Sequence, residues 1–362
     1  SGKKWNSIVQ YGPYFSHLEI PYEYLGSSLI YEGKKYKLSP KEEKVALFYA
    51  KRKISEKGGG VVDKFTEDPL FNFNYFNDFK EYLTGEHRAV FKEFHKIKWS
   101  DLISKYENFK ELELKSLDKK RKKEEIAAKE VKYGYVLLDG VKERLANYTV
   151  EPAGIFYGRG EHKLRGKIKK DIYPEDVTLN LGIKDPIPKA PGGHQWKKPF
   201  AHEHNATWVA KYPDTITGNT KYIFFNQKSK FKGQSDLKKY ETARKLQQNI
   251  EIVRTKYMND ANSSNIIKQQ LGTVLWLIDH NGVRIGGKKD DDEADTVGAT
   301  TLRVEHVKLE KPYVIFDFLG KDSVHFYEKI KVPEIIYRNF EHFKTDKKKG
   351  QQIFDRISDK SV

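Results

Sequence analysis

Hydrophobic positions change period several times along the chain, and each change marks a boundary between kinds of structure. Residues 5 to about 28 mix Tyr, Pro and Gly with no sustained period, which predicts short strands and turns. "LIYEGKKYKLSPKEEKVALFYAKRK" predicts a hairpin through Glu32-Gly33 and then a helix. Ser39 is its N-cap, Pro40 its first residue, and Glu42 and Glu43 fall in the first turn. Gly58-Gly59-Gly60 ends it, and "DPLFNFNYFNDFKEYL" predicts an aromatic helical core. From Trp99 to Val131 the period stays helical, but "LDKKRKKEEIAAKEVKYGY" has so few apolar positions that it predicts a solvated, projecting helix.

Alternation replaces the helical period from 132 to 230, where "YGYVLLDG", "RLANYTV", "ATWVAKY" and "TKYIFFN" predict strands. Helical spacing returns from Asp236 to Gly286. "TTLRVEHV", "YVIFDFLG" and "SVHFYEKI" then predict closing strands, and no internal repeat is present. The order is α+β, then β-rich, then helical with a small sheet, which suggests an α+β protein of two lobes.

Composition sharpens this picture. A chain of 362 residues is long enough for two or three domains, and its 13% aromatic content supports a packed core despite 33% charged residues. The formal charge of +16 and pI of about 9.4 point to an anionic partner. No apolar run approaches the roughly 18 residues that cross a bilayer, so no membrane partner is expected. Ser1-Gly2-Lys3-Lys4 lacks a signal-peptide pattern. The absence of cysteine excludes disulfides and thiolate metal sites within this sequence and fits a reducing compartment. No phosphate-binding G-x-x-x-x-G-K-[ST] occurs. His202-Glu203-His204 lacks helical metal-ligand spacing and reads as a polar turn, so neither metal nor cofactor is expected.

Two basic stretches carry candidate chemistry. "FYGRGEHKLRGKIKK" sets Arg159, Lys163, Arg165, Lys167, Lys169 and Lys170 among three glycines, which let backbone approach a ligand while the cations meet phosphates. "FFNQKSKFKGQSDLKKYETARK" repeats the theme with Lys228, Lys230, Lys232, Lys238 and Lys239. A solvated hairpin and a solvated helix face explain the same charges equally well.

"GRGEH", "PEDVTLNL", "KGQSDLKKYETAR", "VRIGGKKDDDEADTVG", "TLRVEHV" and "FDFLGKDS" follow one another here in the order found in eukaryotic type IB DNA topoisomerases, and the chain resembles that family across most of its length. The resemblance implies a two-lobed clamp around double-stranded DNA. Residues 1–28 and 115–211 would form one β-rich cap subdomain and 29–114 a second, α+β one. The charged helix near 115–130 would belong to the cap's paired helices. Residues 212–362 would begin a mainly helical catalytic subdomain related to tyrosine recombinases.

The implied activity is relaxation of supercoiled DNA by transient single-strand cleavage, through a 3′-phosphotyrosyl link, without ATP or metal. Arg284, in the "R-x-G" turn, matches the family arginine that stabilises charge on the scissile phosphoryl, and Lys321, in "LGKDS", matches its general acid. Arg159 and Asp322 match residues at the cleavage site that also border the pocket for camptothecin-type inhibitors. Lys169 and Lys221 match further DNA contacts, and Tyr157 replaces an arginine common in the family. Each residue also has a plainer reading. Arg284 could close a helix whose C′ residue is Gly286, Lys321 could be a water-facing hairpin lysine, and Arg159 a generic phosphate contact.

If Arg284 faces DNA, the acidic run Asp290 to Asp295 must turn away through Gly286-Gly287, and some of its carboxylates would hold neighbouring cations. The family's second arginine, histidine and tyrosine have no counterpart up to residue 362. Tyr222, Tyr313, Tyr327 and Tyr337 read as core or strand residues. The missing groups would lie on a further C-terminal segment or on a second subunit, and this chain alone would bind DNA without cleaving it. The resemblance also implies a nuclear protein of replication and transcription, and "KKRKK" at 119–123 would suit nuclear import. A non-catalytic nucleic-acid-binding clamp is the alternative.

Overall fold

The structure is a computed structural model that describes residues 2–58, 64–116, 119–287 and 295–362. Its contacts divide it into two units, Ser1–Tyr157 with Leu164–Leu237, and Gly158–Lys163 with Lys238–Val362. Helices and antiparallel sheets are mixed throughout, so the fold is α+β.

In the first unit, β1 (Ser28–Tyr31) and β2 (Lys34–Lys37) form the expected hairpin. Glu32 and Gly33 both take positive φ, 48° and 82°, as a two-residue turn with the twist of its strands requires. Helix α1 (Pro40–Lys57) starts at Ser39 with reciprocal bonds: the Glu42 amide donates to the Ser39 hydroxyl, and the Ser39 amide donates to the Glu42 carboxylate at 2.8 Å. Both first-turn glutamates are fully buried. Glu42 also accepts the Thr84 amide at 2.7 Å and lies 2.8 Å from the His87 ring, while Glu43 accepts the amides of Leu25 and Ser27. Burial alone would raise the Glu42 pKa, but these hydrogen bonds outweigh it and hold the carboxyl below its ordinary value. The two first-turn carboxylates therefore tie the helix start to two loops.

Two hydrophobic cores fill this unit. The first unites α1 with α2 (Pro69–Tyr82) through Tyr49, Phe71, Tyr75, Phe79 and Trp99. The Tyr49 and Tyr75 rings stack 4.8 Å apart, and the Tyr75 hydroxyl reaches the Val45 carbonyl at 3.0 Å. Each ring buried this fully stabilises the fold by roughly 1.5–3 kcal/mol. Tyr157 joins this core, lying against Phe71 and beneath the Arg52 guanidinium. The second core gathers Trp5, Ile8, Val136, Val177, Leu179, Val209, Tyr212 and Ile223.

Helices α3 (Ser100–Ser116) and α4 (Lys119–Tyr133) carry the charged segment. On α4 even Ile126 and Val131 are exposed, as a solvated helix requires. β3 (Tyr135–Leu138) pairs with β4 (Val141–Arg144), and β5 (Trp208–Pro213) pairs with β6 (Thr220–Phe224). "RLANYTV" is not a strand: only Arg144 lies in one, and Leu145 and Thr149 make isolated bridges to Phe225 and Tyr14. The β5–β6 hairpin spans residue 212 and gives Val209, Ala210, Tyr212 and Ile223 to the second core, and by contact the chain divides after Leu237.

Helix α5 (Lys230–Ala261) leads into the second unit, followed by α6 (Ile266–Asn281). Gly272 is the point of closest approach, because a Cβ there would meet the Ala261 nitrogen at 2.3 Å and the Tyr257 carbonyl at 2.4 Å. β7 (Val307–Glu310), β8 (Tyr313–Leu319) and β9 (His325–Lys331) form an antiparallel sheet, covered by α7 (Glu334–Lys344). "TTLRVEHV" does not form the expected strand. It makes two single helical turns, and its amides bond to loops: Thr300 to Ile285, Val304 to Gln351. The strand starts only at Val307.

Candidate functional site

Asn265 caps α6 by accepting the Ile267 and Lys268 amides, and Gly282 ends it in the left-handed conformation with φ 61°. Gly282 is therefore the terminator, and the reading that placed Arg284 in the last turn with Gly286 as C′ is corrected. Arg284 lies beyond the helix, between buried Val283 and partly exposed Ile285, with its own side chain in solvent.

A short segment, residues 297–299, runs between Arg284 and Lys321. The Ala299 amide donates to the Arg284 carbonyl at 2.7 Å, and the Val297 amide donates to the Leu319 carbonyl at 2.8 Å. Thr300 extends the seam with its amide and hydroxyl to the Ile285 carbonyl, at 2.8 and 3.0 Å. Gly286 and Gly298 meet backbone to backbone, since a Cβ on Gly298 would lie 2.4 Å from the Gly286 Cα. The two residues proposed from sequence as one site thus lie on loops that share one crosspiece.

Lys321 opens the β8–β9 turn, which the Gly320 amide closes on the Val324 carbonyl at 2.8 Å. Asp322 and Ser323 both take positive φ, 66° and 58°, and Lys321 and Asp322 are exposed. The Arg159 guanidinium pairs with the Asp322 carboxylate. Gly158 and Gly160 are left-handed too, and a Cβ on Gly160 would come 2.7 Å from the Ser323 hydroxyl. Gly160 thus lets backbone approach this turn, while Gly158 makes room for the His162 side chain. Arg159, Lys321 and Asp322 form one exposed cluster.

The remaining sequence-predicted cations are placed differently. Arg165 is mostly buried and pairs with Asp68, the N-cap of α2, whose carboxylate also accepts the Leu70 amide. Lys169 donates to Glu151 at 2.7 Å, while Lys221 pairs with the same carboxylate and donates to Asp214 at 2.8 Å. Burial would raise the Glu151 pKa, but the two amines prevail and hold it below its ordinary value. Lys163 and Lys170 are exposed and Lys167 is half-buried. The Lys232 side chain lies outside the described residues, as do residues 290–294 of the acidic run. Its last carboxylate, Asp295, is held by Arg303, eight residues further along the chain.

His202 and His204 each turn a ring nitrogen to a backbone carbonyl, of Leu181 and Trp5, so both serve the loop they belong to. Tyr337 is buried, whereas Tyr222, Tyr313 and Tyr327 are exposed strand residues. A cavity of about 330 Å³ lies beside the crosspiece, bounded by Val297, Leu319, His306 and an Asp317–His325 pair at 2.7 Å.

Comparison with known proteins places both parts of the chain in one family. Residues 3–225 match the DNA binding fragment of eukaryotic DNA topoisomerase I, and residues 228–362 match its catalytic core. Proteins named DNA topoisomerase 1 align over nearly the whole chain. The one from Candidozyma auris is 40% identical across 98% of this chain and 47% of its own length. The human protein is 36% identical across 99% of this chain and 46% of its own, and that of Drosophila melanogaster is 36% identical across 99% and 36%. The chain thus spans less than half the length of these relatives. The chain belongs to the eukaryotic DNA topoisomerase I family.

Proposed function

We propose that this chain forms the DNA clamp and part of the active site of a nuclear type IB topoisomerase. It would relax supercoiled duplex DNA by transient single-strand cleavage and religation. The observation that carries this reading is the common crosspiece under Arg284 and Lys321. Attack by a tyrosine on a phosphodiester puts extra charge on the non-bridging oxygens, where the fixed, forked donors of Arg284 would act. The departing 5′-oxygen needs a proton, which the Lys321 ammonium would supply. The phosphotyrosyl bond keeps the energy of the broken linkage for religation, so the step requires no ATP. Arg159 and Asp322 would border the cleaved step, and Lys163, Lys167 and Lys170 would meet phosphates nearby.

The cap subdomains, one around 29–114 and one uniting 1–28 with 115–211, would each be built on one of the first unit's two cores, with Ile155, Tyr157 and Ile168 joining the first and Ile223 and Phe225 the second. The catalytic subdomain, expected from residue 212, would on contact grounds start nearer Lys238. The nucleophilic tyrosine would come from a further segment or subunit. Alone, the chain should bind duplex DNA and leave supercoiled plasmid unrelaxed. In a polypeptide that also supplies the family's second arginine, histidine and tyrosine, relaxation should appear. Arg284→Ala or Lys321→Ala should then lower the rate by roughly 100-fold or more while duplex affinity changes little. Normal relaxation by Arg284→Ala would refute the assignment and leave the non-catalytic clamp.

A further inference from the structure

We infer that Arg303 is a positioning residue for the site, acting through the crosspiece without touching DNA. This rests on the roles proposed for Arg284 and Lys321. The crosspiece has little sheet of its own, because Val297 bonds to the last residue of β8 and Ala299 to the loop after α6. Something must fix where it begins.

Asp295, two residues before Val297, is gripped at both carboxylate oxygens by the Arg303 guanidinium, at 3.0 and 2.7 Å. The third guanidinium nitrogen, Nε, donates to Glu305 at 2.8 Å. The other Glu305 oxygen accepts the Gly350 amide at 2.8 Å. Arg303 itself bridges to Gln352, and the Val304 amide bonds to Gln351. The guanidinium is thus mounted on a frame built from residues 303–305 and 350–352. Its side chain is only 24% exposed, whereas that of Asp295 is 73% exposed.

Bidentate geometry sets orientation as well as distance, which a lysine in this place could not do. The clamp fixes the entry to residues 297–299. The Gly286–Gly298 contact allows no slack on the far side. Arg284 and Lys321 therefore inherit their spacing from a pair that carries neither of them. Positions in an active site must hold to within about half an ångström to be useful, so a loosened entry should show in turnover before it shows in stability.

The test compares Arg303→Gln, Arg303→Lys, Asp295→Asn and the Asp295→Asn/Arg303→Gln double variant. In this chain without DNA, each should lose at least tenfold protection from hydrogen exchange at the Val297 and Ala299 amides. Protection at Phe316, in the sheet core, should be unchanged. In a polypeptide that also supplies the family's second arginine, histidine and tyrosine, each single variant should lower kcat at least tenfold with KM for plasmid unchanged. The double variant should lose no more than either single one. Undiminished protection in Arg303→Gln would overturn the inference. So would a weaker duplex affinity with a shallower salt dependence, which would make Arg303 a phosphate contact. Failure of the catalytic reading is separable, since it would appear as normal relaxation by Arg284→Ala while the exchange result stood by itself.

Discussion

Gly298 has no space for a side chain: an added methyl would sit 2.4 Å from the Gly286 nitrogen and 2.6 Å from the Arg284 carbonyl. Neither neighbour is a flexible side-chain end, so backbone would have to separate at the crosspiece. Gly298→Ala should cost about 2–4 kcal/mol, read by chemical denaturation, and should reduce relaxation by more than its stability loss predicts. Arg165 poses the opposite question, because from sequence it reads as one of six phosphate-seeking cations. Its guanidinium instead fastens the basic loop to the N-cap of α2. Arg165→Ala should therefore destabilise the chain by about 1–3 kcal/mol while leaving the salt dependence of DNA binding unaltered. The glycines of the same stretch were legible as points of close approach. What they approach was not: Gly166 meets the Phe71 carbonyl and Gly160 the Ser323 hydroxyl, both remote in sequence.

Elements with local causes could be read directly. The Glu32-Gly33 turn and the Ser39-Pro40 helix start depend on residues two to four apart, and both form as the pattern predicts. Helix α7 has an equally local cause, since Ile336, Tyr337, Phe340 and Phe343 are spaced for one buried face, although the aromatic runs before it alternate like strands. "TTLRVEHV" misled for a physical reason: its alternation serves two helical turns whose amides bond to residues such as Ile285 and Gln351. That region has a pH consequence. Burial would raise the Glu305 pKa, but the Gly350 amide and Arg303 prevail and hold it at about 2, below the ordinary 4.5. The folded state thus binds fewer protons than the unfolded one between these values, so this stabilisation is present above about pH 4.5 and lost as pH falls toward 2. Denaturation series from pH 6 to 2 should show a shallower acid loss for Glu305→Gln than for the parent chain.

At the scale of the molecule, net charge was the most legible property and the least specific one. Duplex affinity should fall steeply with salt, with log K declining against log salt by roughly 0.9 per phosphate engaged. Lys163→Ala should reduce that slope by about one, and random-sequence duplexes should bind nearly alike, as measured by fluorescence anisotropy. How the two units are connected was not legible, because composition does not change where the chain crosses. It leaves the first unit at Gly158, returns at Leu164 and leaves again at Lys238. A single genetic junction therefore cannot transplant the second unit whole. A fusion beginning at Lys238 would carry Asp322 but forfeit Arg159, so recombination could exchange this region between proteins only by inheriting both pieces together.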